Sequence, residues 1–75
     1  MARIEVGSEI TGRVWKIVAE TGTKVSEGDT LLILESMKME IPLESPCNGT
    51  VHELLLNEGD SVNEDQVVAI VDTTT

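Results

Sequence analysis

Phenylalanine and tyrosine are absent from this 75-residue chain, and Trp15 is its single aromatic residue. The core must therefore be aliphatic, built from Val, Ile and Leu. The same shortage excludes a platform for single-stranded nucleic acid, which needs aromatic faces on which successive bases stack. Basic residues are scarce as well. Five Lys and Arg stand against fourteen Asp and Glu, a formal net charge of −9. Such a balance repels phosphate backbones and anionic membrane surfaces, so neither nucleic acid nor membrane is an expected partner. It favours solubility, or a partner with a basic face.

Cys47 is the only cysteine and His52 the only histidine. No intrachain disulfide can form, and a zinc site has almost nothing to draw on. Long hydrophobic runs are missing too: "LLIL" (31–34) and "VVAIV" (67–71) fall far short of a membrane span. No basic stretch precedes an apolar one at the N-terminus, as a secretory signal would require. The expectation is a soluble, cytoplasmic protein. Met1-Ala2 reads as a natural start, and the trailing threonines as a native end or the beginning of a linker. A chain of this length makes one small domain, here 1–75, whose core supplies no more than about 3–5 kcal/mol.

What the chain does have is a repeat. Displaced by 37 residues, it aligns with itself without a gap: Ile4 meets Ile41, Ser8 meets Ser45, Gly12 meets Gly49, and Val14 meets Val51. Further on, Gly22 meets Gly59, Val25 meets Val62, Glu27 meets Glu64, and Ile33 meets Ile70. Two copies are too few for a solenoid, so the pattern predicts a pseudo-twofold domain of two interlocked halves. Each half opens on a short extended piece, "RIEV" (3–6) or "EIPL" (40–43). A glycine-led β-type run follows, "GRVWKIVA" (12–19) or "GTVHELLL" (49–56). Polar turns fill 20–29 and 57–66, and nearly continuous apolar runs, "TLLILE" (30–35) and "VVAIVD" (67–72), read as well-buried strands. No stretch of ten residues holds a helical period free of glycine or turn clusters. The fold class is all-β, about eight short strands in two small sheets.

The halves join at "LLILESMKMEIPLE" (31–44). With Met37 and Lys38 as the two central residues of a tight hairpin, Leu34 faces Ile41 and Leu32 faces Leu43. A one-residue slip would break both apolar pairs, which settles the register. Pro42 then belongs on a strand near a sheet edge. This register carries two local violations. Two-residue hairpin turns need φ > 0 at one or both central residues, hence Asn-Gly or Gly-X; Met-Lys there costs about 1–2 kcal/mol. Glu35 also lands opposite Glu40, and like charges facing across strands destabilise. Such failures of otherwise sound local chemistry mark functional sites.

A lysine at a hairpin apex holds its amine clear of the fold. A self-activated Schiff-base lysine needs desolvation or a cationic neighbour, and this tip offers two carboxylates instead. Lys38 reads as an acceptor that another protein grips and modifies, and flexible, polarisable methionines suit such a grip. The plain alternative is a solvated surface lysine guarding a sheet edge. Met37 points outward from the turn, whereas Met39, aligned with Ile41 and Leu43, is expected partly in the core. Trp15 is expected as a packed hydrophobe, His52 on a strand surface, and Cys47 as a small buried group. None of these three is assigned a chemical role. No nucleophile–base pair, metal cluster or phosphate loop can be assembled, so the chain does not read as an enzyme.

The string "ESMKME" (35–40), set between the strands of a two-half β domain, resembles the attachment motif of biotin carboxyl carrier domains. The likeness spans about residues 3 to 72, with the "EGD" turns (27–29 and 58–60) and "GTV" (49–51). It is strongest to stand-alone, single-domain biotin/lipoyl attachment proteins. The resemblance implies a flattened β-barrel or sandwich of two four-stranded antiparallel sheets, with the modified lysine at the end opposite the termini. It makes Lys38 the site of covalent biotin attachment, and Met37, Met39, Glu35 and Glu40 the residues read by a biotin protein ligase. It implies partners in a biotin carboxylase and a carboxyltransferase, between which the domain, monomeric in isolation, carries a carboxyl group.

Two departures qualify the match. Ser36 stands where biotin domains usually have Ala or Val, and Glu35-Ser36 is similar to lipoyl domains and to the glycine-cleavage carrier. Lipoate therefore stays open as an alternative cofactor, for a 2-oxo acid dehydrogenase or glycine-cleavage type system, as does a protein accepting both. An unmodified assembly domain is the third reading. The gapless repeat also leaves no room for the protruding thumb of some biotin carriers.

Overall fold

The computed structural model of the chain describes residues 2–73. Met1, read above as a natural start, and Thr74 and Thr75 lie outside the described residues. Eight strands follow one another: β1 (Arg3–Gly7), β2 (Gly12–Ile17), β3 (Lys24–Val25), β4 (Thr30–Ser36), β5 (Met39–Glu44), β6 (Gly49–Leu54), β7 (Ser61–Val62) and β8 (Val67–Thr73). They form two four-stranded sheets, ordered β1-β8-β6-β3 and β5-β4-β2-β7, and every pairing is antiparallel. Exchanging β1 with β5, β2 with β6, β3 with β7 and β4 with β8 turns one sheet into the other. That is the pseudo-twofold predicted by the repeat, and each sheet draws strands from both halves.

The symmetry extends to single hydrogen bonds. The register of β2 shifts between Val14 and Lys16, and that of β6 between Val51 and Glu53, the same places one repeat apart. Ser8 and Ser45 are both buried, and each hydroxyl donates to a carbonyl two residues on, Ile10 and Cys47, at 2.6 Å. A buried hydroxyl needs such a partner, and the two halves supply it alike. Gly22 and Gly59 turn at φ +94° and +92°, a region that glycine enters without penalty.

Sidedness follows from strand order. The apolar runs become β4 and β8, each flanked on both sides within its sheet, and Leu31, Leu32, Leu34, Val68, Ala69 and Val71 are inaccessible to solvent or nearly so. A register shift between Thr30 and Leu32 lets the consecutive Leu31 and Leu32 both turn inward.

Several expectations are corrected. The runs 12–19 and 49–56 stop being strand at Ile17 and Leu54. The amides of Val18 and Ala19 both donate to the Leu31 carbonyl, at 3.0 and 2.9 Å, which bends the chain out of the ladder. Val18 and its repeat partner Leu55 are exposed as a result. The polar turns hold the two-residue strands β3 and β7. Trp15 is 48% exposed rather than packed, because it occupies the register shift in β2, outside the alternation that keeps Val14 inward. His52, at the matching shift in β6, does lie on the strand surface with its side chain 35% exposed, whereas Cys47 is half-buried against the core instead of enclosed.

Candidate functional site: the β4–β5 hairpin tip

The apolar pattern pairs β4 with β5 in the predicted register: Leu32 with Leu43, Leu34 with Ile41, Glu35 with Glu40, and Ser36 with Met39. Met37 and Lys38 are left as a two-residue turn at φ +51° and +68°. Both are left-handed, as in the turn type whose twist matches that of the flanking strands. Neither is glycine or asparagine, so each carries a conformational penalty of about 1–2 kcal/mol. β5 is an edge strand, which is where Pro42 can forgo its ladder hydrogen bond.

Beyond Leu34 the core ends and the tip stands in solvent. Met37 is 93% exposed, and Lys38 and Glu40 are exposed too. Met39 is 63% exposed and not partly in the core. It shares a face with Ile41 and Leu43, but burial falls away along this edge strand before Met39 is reached. The structure thus brings Glu35, Met37, Lys38, Met39 and Glu40 together on one projecting, open surface. Among the described residues, no hydrogen bond or ion pair holds the Lys38 ammonium.

One contact at the tip had no signal in the sequence. The Ser36 hydroxyl donates to the Thr11 carbonyl at 3.0 Å, while the Thr11 hydroxyl accepts from the Glu64 amide at 3.1 Å. The hairpin is thereby tied to the β1–β2 and β7–β8 loops, and the serine that departs from the usual biotin pattern has a local structural use. Arg13 faces Glu35 across the β2–β4 pairing. Thr11, Gly12, Arg13 and Ser61 line a shallow, open depression of about 460 Å³ at the foot of Met37 and Lys38. Sequence distance hides this neighbourhood, since its parts come from three separate segments.

β1 starts beside β8 at the Arg3–Asp72 pair and leads to Thr11 under the tip, so Arg3 and Asp72 sit at the end of the 37 Å long axis opposite Lys38. Lys38 is thus presented at the far end of the body. Residues 4–71 match the family described as "Biotin-requiring enzyme", the biotin/lipoyl domain family. The chain belongs to that family.

Two stand-alone relatives match it over most of their length. It is 41% identical over 63 residues to a biotin/lipoyl attachment protein of Bacillus subtilis (strain 168), covering 84% of this chain and 86% of that protein. It is 34% identical over 67 residues to the biotinylated protein TB7.3 homolog of Mycobacterium leprae (strain TN), covering 89% and 94%. Among solved structures, the Kluyveromyces lactis urea carboxylase contains a region that superposes with a TM-score of 0.91 at 36% identity, over 96% of this chain and 6% of that one. The fold that the resemblance implied is the fold observed, and a carboxylase carries it as one small part.

Proposed function

We propose that the chain is a cytoplasmic biotin carboxyl carrier, one domain with its core over about residues 3 to 72, that takes biotin as an amide on Lys38. The observation that carries this is the position of Lys38 on a left-handed two-residue turn between two exposed methionines, in a member of this family. A cofactor joined through its carboxyl group needs an amine clear of the fold and within reach of a ligase. The exposed tip fits that demand. When bound, biotin supplies a ring that accepts a carboxyl group at one enzyme and releases it at another.

The chain's own residues do the rest. Met37 and Met39 give a biotin protein ligase an apolar grip on either side of the amine, and Glu35 and Glu40 set the charge of the same surface. The paired strands and the Ser36–Thr11 tie hold the turn still. A biotin carboxylase and a carboxyltransferase are the partners between which such a tip travels. Once the carrier has docked on either enzyme, the tether to Lys38 confines the cofactor near the reacting site at high effective concentration, so the carrier needs no catalytic group of its own.

Lipoate is the second reading. It is favoured by Glu35-Ser36 and by the Bacillus subtilis relative, whose name covers both cofactors. Intact mass separates the two. Incubation with a biotin protein ligase, ATP and biotin is expected to add one biotinyl group per chain, and parallel incubation with a lipoyl ligase and lipoate to add none or far less. A lipoyl group alone would replace the first reading by the second. No addition by either active ligase would leave the tip an unmodified surface.

A further inference from the structure

The edge strands β1 and β5, one from each sheet, flank an open groove of about 440 Å³. Its apolar lining comes from Ile4, Val6, Ile10, Ile41 and Leu43, with Leu34 of the core below. Glu5, Glu9 and Glu44 line it as well, and all three are exposed. Among the described residues, no lysine or arginine lines it. Each strand ends its sheet here, so each presents one margin of backbone without a neighbouring strand. Pro42 removes one donor from the β5 margin, which shifts docking there towards side chains.

We propose that this groove is a docking surface for an extended segment of a partner protein that alternates apolar with basic residues. Apolar side chains on one face of an extended strand would enter between Ile4, Val6, Ile41 and Leu43. Basic side chains, on the opposite face of that strand, would reach back along their long stems to Glu5, Glu9 and Glu44 at the exposed rim. Charge selects the occupant: an acidic strand would bring like charge up to three carboxylates, and a basic one complements them. Strand-like peptides are captured in this way, with alternate side chains giving specificity. The groove reaches Ile41, on the same strand as Met39, so a bound partner is held beside the tip without covering Lys38. The proposal does not depend on which cofactor Lys38 carries.

The test titrates the ¹⁵N-labelled protein with the peptide acetyl-Lys-Val-Lys-Leu-Lys-Val-Lys-amide and follows amide shifts by NMR. Saturable changes are expected at 4–10 and 41–46, with none for the peptide bearing glutamate in place of each lysine. A Glu5→Lys, Glu9→Lys, Glu44→Lys triple variant is expected to weaken binding by about tenfold or more. A Glu20→Lys, Glu53→Lys, Glu64→Lys variant changes the net charge equally and is expected to bind within about twofold of the parent. A Glu5→Gln, Glu9→Gln, Glu44→Gln variant, whose thermal unfolding is measured alongside, repeats the loss without introducing positive charge. Equal weakening in both lysine triples, or shifts spread over the whole acidic surface, would overturn the proposal. So would the absence of saturable binding, which would leave the glutamates as guards of two sheet edges.

Discussion

The two ends of this molecule are built from equivalent strands and differ in the charged pair that each carries near its end. At one end β4 and β5 are joined by Met37-Lys38; at the other the equivalent strands β8 and β1 pair Asp72 with Arg3 and are not joined by a turn. The repeat places Glu35 over Asp72 and Glu40 over Arg3. At the terminal end, Arg3 Nε lies 3.2 Å from Asp72 Oδ1, and His52 Nδ1 lies 3.3 Å from Asp72 Oδ2. At the tip the same position sets Glu35 against Glu40. The end without a covalent link has complementary charges, and the end closed by a turn has like charges and two left-handed residues. A hairpin held by its own chain can tolerate that local cost, and a surface meant to be read from outside has a use for it.

Larger effects should come from what the ends share. Gly12 lies against the Glu35 carbonyl and Gly49 against the Asp72 carbonyl, so closely that a Cβ at either position would overlap the oxygen. Gly12→Ala and Gly49→Ala are each expected to destabilise by about 3 kcal/mol, lowering Tm by more than about 10 °C, with Gly49→Ala the worse. Thermal unfolding by circular dichroism checks this. A mild Gly12→Ala beside a severe Gly49→Ala would show that the tip end is not packed as its counterpart is.

The turn comes next. Met37→Asn with Lys38→Gly supplies the residues this turn type favours and is expected to stabilise by about 1 kcal/mol or more, raising Tm by about 4–8 °C. The same variant is expected to take up no cofactor when treated with ligase. A lower Tm would mean that Met-Lys is not under strain in this turn.

Smallest is the charge swap. Glu40→Lys gives the tip the opposite-sign pairing found at the terminal end and is expected to stabilise by about 0.2–1 kcal/mol, less in high salt. Arg3→Glu copies the tip's arrangement at the termini and is expected to destabilise by a similar amount. Equal and opposite shifts in Tm would support the equivalence of the two positions; shifts of the same sign would break it.

Much of this was legible in the sequence because strand chemistry has a strict period. A single slip would turn Leu32, Leu34, Ile41 and Leu43 to the wrong face, so the hairpin register and its two-residue turn could be read directly. The repeat exposed the twofold, and the unbroken apolar runs exposed β4 and β8. Other features depend on what lies across the molecule. Met39 has the pattern of a core residue, but its exposure is decided by where the packing under an edge strand stops. Trp15 is displaced by a register shift that its neighbours do not announce. β3 and β7 are two residues each, held by partners rather than by propensity. Ser36 meets Thr11 from 25 positions away, and the groove between β1 and β5 exists only once both sheets are assembled.

If the chain is a biotin carrier as proposed, position, and not lysine chemistry in general, selects the residue that takes the cofactor. The chain has three lysines, Lys16, Lys24 and Lys38, all of them exposed. Lys16 lies on β2 and Lys24 on β3, where the backbone is committed to a sheet, and Lys38 alone lies on a turn. After treatment with ligase, ATP and biotin, proteolysis and tandem mass spectrometry should place the biotinyl group on Lys38 alone, and Lys38→Arg should carry none. Biotin on Lys16 or Lys24, or full modification of the Lys38→Arg chain, would contradict the account.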